Sequence, residues 1–433
     1  MRKLLLTGAA ALALAGCTRY EPVTDFSPAP AAERQSPSDT PIQTEAGVQP
    51  QAETGMQAEA EQYASLVRSL YASMEDVFEE VSRPEPVKVK AIYVTGYAAG
   101  VPAMMEEYIR QIDETELNAV VIDFKNDEGR ITCPVATGVM GEIGAGTGLV
   151  EDMAGLIAGL KEHGIYTIAR VVTFKDPYLA EKKPEWCLKT KDGNIYRDKK
   201  GDAWINPYNK EVWEYLAEVV GEACRLGFDE VQFDYIRFNT DSTMKNVDFE
   251  QAGTEGKSKT EIVTEFTRFI GERFERTGMF LSADVFGAII GSPVDAQSVG
   301  QSYGEIAANM DYICPMIYPS HYGDGNFGLD HPDLHPYETV MGALTQSKEE
   351  LALYPEEPQA VVRPWLQDFT ASYLRHYMHY GPGELRAQID AVYDAGYEEW
   401  ILWNASCNYS WEGLLKEEEN GQNTEGGGIL PPL

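Results

Sequence analysis

Residues 230–238 read Glu-Val-Gln-Phe-Asp-Tyr-Ile-Arg-Phe, an apolar strand-forming run that also holds Gln232, Asp234 and Arg237. Val, Phe, Tyr and Ile favour an extended backbone, yet unpaired polar groups are costly to bury. A strand that contains both marks either a reactive position or a closed ion pair. Alternation with period two puts Gln232 and Asp234 on one face. If that face lines a barrel, the Asp234 carboxylate stands near the strand's C-terminal end, where barrel enzymes carry their chemistry. A purely structural Asp234–Arg237 pair would use the same residues.

Other predicted strands end in the same way. Asp123 precedes Lys125-Asn126-Asp127-Glu128-Gly129, and Asp176 closes Phe174-Lys175-Asp176. Asp284 sits in Ser282-Ala283-Asp284-Val285-Phe286-Gly287. Tyr318 and His321 fall in Met316-Ile317-Tyr318-Pro319-Ser320-His321-Tyr322. Trp365 and Asp368 fall in Arg363-Pro364-Trp365-Leu366-Gln367-Asp368, and Trp403 precedes Asn404. Several carboxylates beside Trp and Tyr suit cleavage of a glycosidic bond. That reaction needs one carboxylic acid to protonate the leaving oxygen and one carboxylate to attack carbon or activate water. Asp234 is the expected nucleophile, or general base if the reaction inverts, and Asp284 the expected general acid. Asp284 would need a raised pKa, which apolar walls and a neighbouring carboxylate supply. Asp123, Asp176, Asp368, Asn206, Trp204, Tyr318, His321, Trp365 and Trp403 are substrate-binding candidates, with Arg237 expected to hold Asp234 ionised.

No His-Glu-x-x-His is present, and there are six histidines. His331-Pro332-Asp333-Leu334-His335 has metal-ligand residue types, but its proline argues for a rigid loop, so neither metal nor cofactor is expected. With Lys+Arg 35 against Asp+Glu 69, the net charge is −34. Such a chain repels nucleic acid and anionic lipid, which excludes a nucleic-acid partner. The 24 Tyr and 7 Trp suit a carbohydrate partner as well as an aromatic core.

The N-terminus has Arg2 and Lys3, an apolar run over 4–15 and then Leu14-Ala15-Gly16-Cys17. The run is too short to span a bilayer, so 1–16 reads as a signal peptide. The last four residues resemble the bacterial lipobox, in which the cysteine is acylated. Cys17 would then tether the protein to a membrane outside the cytoplasm. Residues 17–55 are rich in Pro, Ala, Glu, Gln, Ser and Thr and read as a disordered linker. Apolar residues over 56–83 follow helical spacing and predict one amphipathic helix. The remaining five cysteines form no Cys-x-x-Cys, which indicates neither a disulfide framework nor a zinc knuckle.

From about residue 87 to 410, eight strand-like runs (89–97, 117–126, 166–174, 230–238, 280–288, 311–320, 360–369 and 399–406) alternate with helical patterns. The helices are expected at 103–115, 149–163, 210–226, 260–277, 302–309, 337–353 and 384–395. Gly164, Gly227, Gly278 and Gly396 stand where helix C-caps belong. Eight such repeats predict a (β/α)8 TIM barrel. A doubly wound sheet is the runner-up, but no Gly-x-Gly-x-x-Gly follows the first strand. Residues 411–433 are expected to be a frayed tail.

The motifs Phe174-Lys175-Asp176-Pro177, Trp204-Ile205-Asn206-Pro207-Tyr208, residues 227–238, Ala283-Asp284-Val285-Phe286-Gly287, residues 315–322 and residues 363–369 resemble a bacterial family of glycoside hydrolase (β/α)8-barrel domains of unknown function. The resemblance covers about residues 88–410. It implies a barrel distantly similar to alpha-amylase-type and alpha-galactosidase-type hydrolases, whose strand-four Asp nucleophile maps onto Asp234. The acid in those relatives commonly comes from strand five or six, where this chain has Asp284 in place of the Glu used by the amylase type. The reading is a lipid-anchored, extracytoplasmic glycoside hydrolase. A non-catalytic carbohydrate-binding lipoprotein is the alternative, and a metal-dependent polysaccharide deacetylase is a third.

Overall fold

The computed structural model describes residues 83–355 and 359–416. The signal peptide, Cys17, the linker and all but the end of the 56–83 helix lie outside the described residues, as does the tail from 417. Among the described residues, 85–275, 279–355 and 359–416 form one compact unit; of a second unit only 83–84 and 276–278 are described.

Nine strands are present among the described residues: β1 Lys90–Val94, β2 Ala119–Lys125, β3 Tyr166–Val172, β4 Glu230–Asp234, β5 Phe280–Phe286, β6 Tyr312–Ile317, β7 Val361–Val362, β8 Trp365–Gln367 and β9 Trp400–Trp403. All pair in parallel, and the β1–β9 and β5–β6 pairings close the sheet on itself. The barrel has eight strand positions, because β7 and β8 share the seventh. Pro364, which has no N–H, separates them. The ladder continues past it on both sides: Arg363 N donates to Ile313 O at 2.9 Å, and Pro364 O accepts from Ile401 N at 2.9 Å.

Among the described residues, each strand position from the second to the eighth is preceded by one of α1 Pro102–Glu114, α2 Met153–Glu162, α3 Lys210–Leu226, α4 Lys259–Phe274, α5 Tyr303–Ala307, α6 Pro336–Leu351 and α7 Pro382–Asp394, with shorter helices in the loops. The longest, α3, starts at Asn209, whose side chain accepts from Glu211 N, and stops at Gly227, whose φ of 94° only glycine adopts freely. Val212, Leu216, Val219 and Ala223 bury its inner face. The expected tail is not frayed at its start: Glu116 N donates to Leu415 O at 2.9 Å, and the chain stays packed through Lys416.

Side chains facing the barrel axis are polar at both ends. At the floor, Arg363 donates to Glu399 Oε2 at 2.7 Å and to both oxygens of Glu230 at 2.8 and 2.9 Å, with Tyr166 Oη donating to Glu230 at 3.1 Å. The guanidinium lies 3.7 Å over the Tyr312 ring. One cation thus compensates two buried carboxylates, which neither could tolerate alone.

Candidate active site

The β4 strand ends earlier than its composition suggests. Apolar residues continue to Phe238, but Tyr235 takes a φ of 53°, a left-handed conformation uncommon for a large side chain. That turn leaves Asp234 as the last strand residue, at the mouth of the barrel. Its Oδ1 accepts from Tyr235 N at 2.6 Å, and its own carbonyl accepts from Thr173 N at 2.8 Å. The strained turn therefore sets the orientation of the carboxylate.

The cation on Asp234 comes from β3. Arg170 donates to Asp234 Oδ2 through Nε at 3.0 Å and Nη2 at 2.5 Å, and through Nη1 to Asp123 Oδ1 at 2.6 Å. Asp127 Oδ2 lies 3.4 Å away. Tyr93 Oη donates to Asp123 Oδ2 at 2.5 Å. Burial pushes the Asp123 carboxyl up, against the pull of Arg170, to about 6. At Asp127 burial also acts upward, but Arg170 and Lys175 outweigh it and hold the carboxyl below its usual range. Its side chain remains 38% exposed, so it can reach a bound ligand.

Asp284, on the neighbouring strand β5, has a contrasting environment. It is 1% exposed, and its Oδ1 accepts from Trp365 Nε1 at 2.6 Å. Burial first and the Asp234 charge second push its carboxyl well above the usual range. One carboxylate of the pair faces a guanidinium; the other favours its proton. Both line a cleft at the mouth of the barrel, together with Arg170, Arg237, Tyr318, Trp365 and Trp403. Trp403 is half-buried, 4.3 Å from the Tyr93 ring and edge-on to Trp365 at 5.5 Å, which leaves an indole surface at the cleft.

Arg237 lies 4.7 Å over Tyr235 and 4.4 Å over Phe286 and donates to Phe238 O at 3.1 Å. The pairing with Asp234 expected of Arg237 is made by Arg170. Asp123 meets the cleft through Arg170. Five other candidates lie outside the cleft lining. Asp176 is fully buried, pairs with Lys125 at 2.8 Å and caps the helix Pro177–Lys182 through Leu179 N. Asp368 accepts from the Ser410 amide and hydroxyl. Asn206 donates to Ala252 O and accepts from Tyr208 N. Trp204, 2% exposed, donates to Asp198 and packs edge-on against Tyr235 behind the cleft, so it has no face for a ligand. His321 packs against Tyr318 and Phe369, and burial lowers its imidazole to about 4.

Sequence reasoning missed Arg170, Tyr93 and Asp127 as site residues. For Arg170 the signal was present: it is a lone cation in Tyr-Thr-Ile-Ala-Arg-Val-Val, on the inward parity of its strand. Gly300-Gln301-Ser302-Tyr303-Gly304 has the spacing of a hydrolase nucleophile elbow. However, it follows the helix Pro293–Val299 rather than a strand, and Ser302 merely precedes α5. Among the described residues no group of three or more His, Cys, Asp or Glu is arranged to hold a metal, and the five cysteines are unpaired. Asp333 accepts from Gln367 Nε2 and Met378 N, and His331 stacks on His376.

Among solved structures, a hypothetical protein from Ruminiclostridium thermocellum is 38% identical over 45% of this chain and 97% of its own, with a TM-score of 0.42. The glycoside hydrolase domain of PgaB (BpsB) from Bordetella bronchiseptica is 14% identical over 74% of this chain and 94% of its own, TM-score 0.49. An alpha-galactosidase from Thermus thermophilus is 16% identical over 80% of this chain and 63% of its own, TM-score 0.45. No curated protein matches the chain. The model of the family described as "Putative glycosyl hydrolase domain" matches residues 91–409, nearly the whole barrel, and the chain belongs to that family.

Proposed function

We propose that this barrel hydrolyses a glycosidic bond with Asp234 and Asp284 as its carboxyl pair. The observation that carries the reading is the opposed environment of two carboxyls on adjacent strands: Arg170 at Asp234, and burial beside a negative neighbour at Asp284. Pairs whose surroundings push them apart divide into acid and base roles. Asp284 gives its proton to the leaving oxygen as the bond from that oxygen to the anomeric carbon breaks. Asp234 either attacks the carbon, forming a glycosyl ester that water then cleaves, or takes a proton from water that attacks instead. Arg170 keeps the carboxylate oriented through either course, and Trp403 offers a flat apolar surface to the sugar ring. The expected tether at Cys17 would hold the barrel at a membrane surface outside the cytoplasm, facing exogenous or cell-wall glycan.

The test is product release from a panel of α-glucans, galactans and cell-wall polymers. Wild type should release reducing sugar, and Asp234→Asn and Asp284→Asn should each lose about 10²–10⁴-fold while still folded. Full activity in either variant would reject the assignment. The anomer of the first product distinguishes the two courses. Lipid labelling that survives Cys17→Ala would reject the tether.

A further inference from the structure

We infer that a second saccharide-binding subsite lies beside the cleft, between the loop after β6 and the loop after β8. The inference rests on the hydrolase reading for its ligand class but on separate residues for its site. A pocket of about 260 Å³ is lined there by Tyr322, Asp324, His331, Asp333, Arg375 and His376. The imidazoles of His331 and His376 stack in parallel, 4.1 Å apart and 8° from coplanar. Asp324, 68% exposed along its side chain, accepts from His331 Nδ1 at 3.1 Å.

This combination matches the surface of a sugar. Flat rings meet its C–H face, while carboxylate, imidazole and guanidinium edges exchange hydrogen bonds with its hydroxyls. The loop after β8 also exposes Tyr373 at 58% and Tyr377 at 37%, two of the few large apolar side chains left open to solvent among the described residues. They flank in sequence the pocket-lining residues Leu374, Arg375 and His376.

The position relative to the cleft favours a second unit of the same glycan. Tyr318 lines the cleft and Tyr322 lines the pocket, with the short helix Pro319–His321 between them. Four residues of chain span at most about 14 Å, so both sites lie within reach of one oligosaccharide. The spacing is also fixed. Asp333, 3% exposed, accepts from Gln367 Nε2 at 3.1 Å, and Gln367 Oε1 accepts from Ser320 N at 3.0 Å. Gln367 belongs to β8, the strand that places Trp365 against Asp284. Asp324 and Asp333 offset Arg375 in a chain of net charge −34, so the pocket suits an uncharged sugar better than an anionic one.

The test compares the full chain with His376→Ala and Tyr377→Ala, both surface positions, on oligosaccharides of increasing length from the polymer that the panel identifies. The ratio of kcat/KM on long over short substrates should fall about 10-fold in the variants, through KM rather than kcat. An unchanged ratio would overturn the subsite. Calorimetric titration of the Asp234→Asn chain with the same panel provides a reading without turnover, and there His376→Ala should weaken binding of the longer glycans. If wild type cleaves nothing but this weakening is seen, the hydrolase reading fails and the subsite stands. If glycans are cleaved without length dependence, or none binds, the subsite is rejected.

Discussion

Trp365 Nε1 donates to Asp284 Oδ1 across 2.6 Å, so one oxygen of the proposed acid is occupied and the proton belongs on the other. The bond favours the ionised carboxyl and opposes the upward push of burial and of Asp234. Trp365→Phe keeps an aromatic ring beside Trp403 but removes the donor. The basic limb of the pH profile of kcat/KM, where Asp284 loses its proton, should move to higher pH in this variant. A limb that moves down would contradict the assignment of Asp284 as acid.

Asp284→Asn should cut activity about 10²–10⁴-fold and yet stabilise the fold at neutral pH. A carboxyl whose folded pKa exceeds its unfolded value binds more protons when folded, so its contribution is intact below the unfolded value and falls as pH rises through the folded one. Asparagine cannot ionise and escapes that loss. Thermal unfolding should show a higher Tm than wild type at pH 7, with the gap closing as pH falls toward the ordinary carboxylate range near ~4. A lower Tm at pH 7 would mean that the carboxylate form is favoured in place.

Arg170→Met removes the cation shared by Asp234 and Asp123 and should destabilise the barrel by about 3–5 kcal/mol, the usual consequence of orphaning a buried charge. Protonation relieves orphaned carboxylates, so the loss measured by urea unfolding should shrink as pH falls. Arg170→Lys keeps a charge but not the planar fork that serves both carboxylates at once. It should recover stability in part and activity hardly at all.

Gly287→Ala should lower stability by about 1–3 kcal/mol, because a Cβ there would stand 2.7 Å from Met316 O and 2.2 Å from Tyr322 Oη. Phe286 beside it lines the cleft, and Tyr322 lines the neighbouring pocket. The same variant should therefore raise KM for glycan, measured at a temperature where it remains folded.

The barrel was legible in the sequence because its signals are local. Apolar runs alternate with amphipathic ones, and Gly164, Gly227, Gly278 and Gly396 all take the positive φ expected of helix ends. Strand ends were overrun wherever apolar residues continued past them, since composition does not reveal a turn such as Tyr235. Asp234 and Asp284 stood out as carboxylates in apolar strands. Arg170 stood out less, because an arginine's partners are set by barrel closure rather than by sequence distance: Asp123 and Asp234 lie 47 and 64 residues away. Asp176 and Asp368 lie outside the cleft lining, which their sequence surroundings do not reveal. Their types suit a sugar site, but backbone donors engage them instead, Leu179 N from 3 residues away and Ser410 N from 42.

The Arg363–Glu230–Glu399 cluster gives the barrel an anchor independent of its mouth. Closure at that end draws on no residue that faces the cleft, so mutations that erase the chemistry need not erase the scaffold. A descendant stripped of Asp234 and Asp284 could persist as a glycan receptor, and a lineage built on this floor would be free to trade turnover for adhesion.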